Sequence, residues 1–145
     1  MKNIYSYSFI LIFVWLGFLV AISFMEAPLK FQAPSVTTAI GVEIGRIVFN
    51  ALNTVEIIFS IYLLVQLNYF RKLDHKIFIG VVLLLMIIGV QSFYLLPVLD
   101  SYATIVINGG ISPSNIEHVT YVVLEVIKVI LLPYIGYRQV IMFKK

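Results

Sequence analysis

Four long apolar runs, two of them carrying charges at helical spacing along one face, constrain this chain more than any other feature. The runs are Ile4–Phe24, Ile44–Leu67, Ile77–Val98 and Val119–Ile141. Each approaches or exceeds the roughly 20 residues that an α-helix needs to cross the hydrocarbon core of a bilayer. The expected fold is all-α, an integral membrane four-helix bundle forming one domain over 1–145, with helices near 4–25, 43–69, 76–98 and 115–142. A charge inside such a run is expensive, so Glu56, Glu125 and Lys128 are its most informative residues.

Composition agrees. Of the 145 residues, 61% are hydrophobic and only 12% are charged, with a mean hydropathy of +1.04, values that belong to a chain composed mostly of membrane spans. With no cysteine, the chain has no disulfides, iron–sulfur clusters or thiolate metal sites. A net charge of +3, gathered near the ends of the spans, argues against nucleic acid as a partner. Lys2 before an apolar core and the Ala21-Ile22-Ser23 triplet imitate a secretory signal. The core is long for one, and three more spans follow, so a retained first helix is expected.

Basic residues near spans report orientation. With four spans, one side holds Lys2, Arg71, Lys72, Lys76, Arg138, Lys144 and Lys145, and the other holds Lys30 and Arg46. Seven against two puts both termini in the cytoplasm, with the cell inner membrane as the expected location. Tyr5, Tyr7, Tyr69, Phe70 and Tyr137 fall at the inferred inner interface, and Tyr102 lies beyond the outer one. The inner loop over 70–76 is short and predicts a tight antiparallel hairpin. In the outer loops, Pro28 and Pro34 argue against a continuous helix over 26–41, whose apolar residues suggest a segment lying against the bundle mouth. Asn108-Gly109-Gly110 signals a turn, and Ser114 to Glu117 fits a capping box opening the fourth helix. No internal repeat or low-complexity segment stands out.

At about 100° per residue, Glu43, Arg46, Asn50, Asn53, Glu56 and Ser60 share one arc of the second helix. Glu117, His118, Tyr121, Glu125 and Lys128 share one arc of the fourth. The first helix shows almost nothing comparable, so helices two and four are expected to line something. Both enter from the outer side, so their residues can be layered by the rise of about 1.5 Å per residue. With Glu43 level with Asn115, Arg46 faces His118, Asn53 faces Glu125, and Glu56 pairs with Lys128. Glu125 competes for the same lysine within its own helix, and Gln91 on the third helix can add an amide.

Three readings fit this pattern. It is a structural network tying helices together, a polar cavity open to the outer face, or a catalytic centre. Gly41 and Gly45 form a GxxxG motif at a helix mouth, where local packing is favoured over dimerisation. Pro133 interrupts the fourth helix and frees the Val129 carbonyl; an ordinary kink is the plainer reading, a gating hinge the other. His75 and His118 sit about 30 Å apart across the bilayer and cannot jointly ligate one haem. Glu26, Asp100, Glu117 and His118 match no metal motif. Proton relay through Glu56, Glu125 and His118 fits intramembrane acids but needs water to span the gaps.

Three fragments carry a resemblance: Met25-Glu26-Ala27-Pro28-Leu29-Lys30-Phe31, Gln91 through Leu96-Pro97, and His118 with Glu125. Together they resemble small four-helix membrane proteins related to the transmembrane protein 205 family. That resemblance implies a four-helix integral bundle and no particular reaction. The leading expectation is a non-enzymatic membrane protein whose outward-facing polar pocket binds or passes a small polar solute or ion. Arg46 and His118 would shape its entrance, with Glu56, Glu125 and Lys128 as its inner cluster and Asn50, Asn53, Gln91 and Tyr121 as neutral or aromatic lining. Alternatives are a membrane enzyme acting on a lipid or quinone-like substrate, with Glu125 or His118 as base, and an assembly subunit of a larger complex or homo-oligomer. No metal site is indicated, the cofactor is unassigned with a single-histidine haem site at His118 left open, and the lipid bilayer is the one partner the composition requires.

Overall fold

The computed structural model describes residues 7–144. Lys2, Tyr5 and Lys145, which enter the orientation argument, lie outside the described residues, as do the side chain of Lys144 and the expected helix start at position 4. The described chain is helical, with no strand. Four of its helices are long and apolar enough to cross a membrane, as in a multi-pass membrane protein. They are α1 (Ser8–Gln32), α2 (Thr38–Val65), α4 (His75–Ile107) and the segment Ile116–Met142. That last segment belongs to α5 (Ile116–Lys144), and a short α3 (Leu67–Leu73) turns the chain between α2 and α4.

Four boundaries differ from expectation. Helix α2 begins earlier than position 43 because the Thr37 hydroxyl caps it, accepting the Ile40 amide at 3.3 Å. It stops at Val65, where Gln66 leaves helical geometry at ψ near 1°. The largest departures are α1 and α4, which run straight through Pro28 and Pro97 rather than ending near 25 and 98. A proline lacks the N–H for the carbonyl four residues back, and its ring crowds that carbonyl. Here each proline follows a widened π-helical turn, Ala21–Glu26 in α1 and Gln91–Leu95 in α4. The Ala27 amide bonds the Ile22 carbonyl and the Leu96 amide bonds the Gln91 carbonyl, five residues back in both cases. Widening makes room for the ring, so the helix continues.

These twin turns expose an internal correspondence that the sequence reading does not find. Shifting the first hairpin by 69 positions lays Ser23, Phe24 and Pro28 on Ser92, Phe93 and Pro97, and Glu56 on Glu125. Buried positions coincide as well: Ile12 with Val81, Trp15 with Leu84, Leu19 with Ile88, Leu52 with Tyr121, and Leu63 with Leu132. The bundle is two hairpins of matching plan, α1–α2 and α4–α5, with α1 packed along α5 and α2 along α4.

Packing separates the layers along the bundle. Ile12, Leu63, Val81, Leu84, Leu132 and Ile135 are fully buried and belong to one cluster in the half nearer Asp74. Phe70, expected at an interface, joins that cluster with no exposed surface because α3 turns it inward. Ile58, Ile61, Leu64 and Val65 stay exposed on the outside of α2, as lipid-facing residues do; burying apolar surface is not what holds helices together among acyl chains. The two longer loops, Ala33–Thr37 and Asn108–Asn115, lie at one end of the bundle. Gly109 turns the second with a φ of 85°, and the Ser114 hydroxyl accepts the Ile116 amide at 3.1 Å. That bond spans two residues, one fewer than the capping box expects.

The opposite end is latched. Asp74 caps α4 by accepting the Lys76 amide at 2.8 Å and pairs with Arg138 of α5. Nearby, the Ser8 hydroxyl donates to Gln139 Oε1 at 2.9 Å. Desolvation pulls the Asp74 carboxyl upward, but the Arg138 hydrogen bond and the Lys76 amide outweigh it, and its pKa lies below the ordinary 3.8. A depressed carboxylate pKa stabilises the fold fully above the ordinary value and loses that contribution as pH falls through the folded one. Melting the detergent-solubilised protein should therefore show wild type above Asp74→Asn at pH 6, with the gap narrowing below pH 3.8.

Candidate functional site

At mid-height a buried ionic cluster draws on all four long helices. Lys128 Nζ lies 2.6 Å from Glu56 Oε1 and 2.7 Å from Glu125 Oε1. The expected pairing of Glu56 with Lys128 across α2 and α5 is present, and Glu125 adds a second carboxylate to the same ammonium. Trp15 Nε1 donates to Glu56 Oε1 at 2.9 Å. Gln91 Nε2 donates to Glu125 Oε1 and the Ser23 hydroxyl to Glu125 Oε2, both at 2.9 Å. The three charged side chains are at most 2% exposed. Such burial strips each ion of water at a cost of several kcal/mol, offset only by close pairing and added hydrogen bonds.

Helix α1 therefore contributes more than its apolar run suggests, since Trp15 and Ser23 each hold one of the two glutamates. Ser23 and Gln91 both stand within the widened turns. A π-helical turn rotates the residues that follow it relative to a regular helix, and such turns recur at functional sites. Here the twin turns deliver one donor from α1 and one from α4 to opposite oxygens of the same carboxylate.

Arg46, Asn50 and Asn53 of α2 face α4 rather than α5. Arg46 lies 3.6 Å from Asp100 and donates to the Thr104 hydroxyl at 3.2 Å, not to His118. Asn50 donates to both Asp100 oxygens at 3.1 and 3.3 Å. Asn53 accepts from the Ser92 hydroxyl at 2.7 Å rather than facing Glu125. The reason is the length of α4: continued past Pro97, it carries Asp100 and Thr104 alongside α2 on residues read as the start of a loop.

Above the cluster, toward the two long loops, opens a cavity of about 630 Å³, within the 300–1,000 Å³ range of small-molecule sites. Ser23 and Glu125 lie in its wall nearest the cluster, and Phe24, Phe31, Phe49, Leu96, Leu99 and Val106 are among its apolar walls. Arg46, Asp100, His118 and Tyr121 supply polar atoms. Of the residues expected to bind ligand, Arg46, His118, Tyr121 and Glu125 border the cavity. Asn50, Asn53, Glu56, Gln91 and Lys128 stand behind that wall, tying helices together or holding Glu125. The walls are more apolar than the helical arcs suggest, because α1 and α4 contribute phenylalanines and leucines there.

The end of α1 closes one flank. Lys30 pairs with Glu26 at 3.3 Å, with its ammonium 5.6 and 5.7 Å from the Phe31 and Phe49 ring centroids, a cation–π arrangement. The GxxxG pair of α2 makes this approach possible. A Cβ on Gly41 would sit 2.1 Å from Phe31, and one on Gly45 would sit 2.9 Å from Lys30 Nζ. The motif thus packs a neighbouring segment of its own chain, as its position at the helix mouth suggests. Compared with known protein families, curated proteins and solved structures, the chain matches none.

Lys128 pairs with two buried carboxylates at once, so its removal should be costly. Lys128→Met should lower stability by about 3–5 kcal/mol, as when a buried charge loses its partner. The triple variant Lys128→Met, Glu56→Gln, Glu125→Gln should regain much of that loss. Denaturant titration in detergent micelles, followed by circular dichroism, measures both.

Proposed function

We propose that this chain is a multi-pass membrane protein that binds a small molecule in a cavity open to the outer side of the membrane, with both termini cytoplasmic. The supporting observation is the cavity itself, walled at mid-height by Glu125, a carboxylate held rigid by three donors. In such a site the ionic cluster serves as a fixed polar floor. Its geometry is set by Ser23, Gln91 and Lys128, so a ligand meets groups already in place, which lowers the cost of ordering them on binding.

Binding is favoured over passage by what lies beneath. Below the cluster, Ile12, Leu63, Leu132 and Ile135 are fully buried, a layer apolar except for the buried Ser60 hydroxyl, which separates the floor from the Ser8–Gln139 pair. A polar solute crossing it would lose its hydration with one hydroxyl, that of Ser60, to replace it. Catalysis by Glu125 is disfavoured because Lys128, Gln91 and Ser23 already occupy both of its oxygens. Arg46 and Lys30 at the cavity end, fewer than the basic residues of the other end, support the orientation.

The absence of native cysteine makes the test direct. Ser23→Cys, at the cavity floor, should react with a small membrane-impermeant thiosulfonate applied from the outer side of oriented vesicles. Leu63→Cys, beyond the apolar layer, should resist the reagent from both sides. Labelling of Leu63→Cys from outside would mean a continuous pathway and overturn binding in favour of passage. Reaction of Ser23→Cys only from the cytoplasmic side would overturn the orientation.

A further inference from the structure

The charges bordering the cavity come with counter-ions. Lys30 is paired with Glu26 at 3.3 Å, Arg46 lies 3.6 Å from Asp100, and Glu125 lies 2.7 Å from Lys128. An anionic ligand would meet no unpaired cation, and a cationic one would find both Glu125 oxygens already engaged by Lys128, Gln91 and Ser23, so either would bear its own desolvation cost. The walls offer the opposite: five aromatic rings, Phe24, Phe31, Phe49, Tyr102 and Tyr121, with Leu96 and Leu99 between them. Such surfaces take flat or extended apolar groups.

One bordering side chain has an unmet hydrogen-bonding need. Tyr121 is 4% exposed, one turn above Glu125, with its ring edge-on to Phe49 at 5.7 Å and 89°. Its hydroxyl makes no hydrogen bond of normal geometry among the described residues, although the Glu125 carboxylate one turn below stands close enough to act on it. A buried hydroxyl without a partner costs free energy, which an oxygen on a ligand would relieve. A phenol donates well to a carbonyl or ether oxygen.

We propose that the cavity takes a neutral amphiphile, an apolar ring or chain bearing a carbonyl oxygen that accepts a hydrogen bond from Tyr121. This rests on the reading of the cavity as a binding site and names its ligand class. Size agrees: a substituted ring with part of a hydrocarbon tail fits within about 630 Å³. Such a ligand leaves every ion pair of the wall intact. It also has two potential sources, the outer aqueous phase and the bilayer, which share the same head-group chemistry and differ in tail.

The test uses the whole chain in lipid nanodiscs. Probes are a methyl-substituted 1,4-benzoquinone, its decyl derivative, decanoate and decyltrimethylammonium. Binding is read by thermal stability and by quenching of Trp15, the single tryptophan. The benzoquinones should raise the melting temperature and quench saturably, and the two charged probes should do neither. Tyr121→Phe, which keeps the ring, should bind the benzoquinones about five-fold more weakly, as for one lost hydrogen bond, while the ligand-free protein melts no lower than wild type. Ala103→Phe, which fills part of the cavity without adding a second tryptophan, should abolish the response. Binding by the decyl probe alone points to the bilayer as source; equal binding of the short probe points to the aqueous phase. Tighter binding of either charged probe, or unchanged affinity in Tyr121→Phe, overturns the ligand class while leaving a binding cavity. If no probe responds in wild type, both the class and the cavity reading fall.

Discussion

One ammonium shared by two carboxylates holds this bundle in register. Between acyl chains the hydrophobic effect gives no reason for one helix face to prefer another, so polar contacts and close packing decide assembly. Lys128 ties α5 to α2 through Glu56 and fixes Glu125 on its own helix; Trp15, Ser23 and Gln91 then bring in α1 and α4. Rotating any of the four helices would strand at least one ion or one donor in hydrocarbon. The cluster specifies the arrangement by making the alternatives costly, whatever its net contribution to stability.

The cavity exists because two helices do not end where prolines usually end them. A widened turn before Pro28 and another before Pro97 let α1 and α4 rise past the cluster. Their extensions supply Phe31 and Lys30 on one flank and Leu99, Asp100 and Val106 on the other. The same turns aim Ser23 and Gln91 at Glu125. Irregular backbone thus performs two tasks, positioning donors at mid-height and carrying walls upward.

How much of this was legible beforehand depends on the kind of signal. The four spans were plain, since hydropathy reports them directly, and pairing of Glu56 with Lys128 followed from layering two helices that enter from the same side. Three features were hidden. Trp15 in an apolar run reads as bilayer filler, because its one polar atom is outweighed by its ring. Asp100 and Thr104 read as loop, because Pro97 reads as a stop and nothing in the residue string announces a widened turn. The contribution of Ser23 was equally silent, depending on how α1 widens, whereas Phe31 was legible as part of an apolar segment lying against the bundle mouth. Depth along a helix is recoverable from sequence; the angle at which a helix resumes after a π-helical turn is not.

The matching plan of the two hairpins carries a consequence for Lys128. Under the shift of 69 positions its counterpart is Phe59, whereas Glu56 and Glu125 are counterparts of each other. Two like hairpins facing one another would set two acids together with no base between them. A single departure from twofold likeness therefore eases the repulsion that the likeness creates, by setting one ammonium between the two carboxylates. It also makes the halves unequal, since of the two equivalent acids only Glu125 borders the cavity while Glu56 is enclosed beside Trp15.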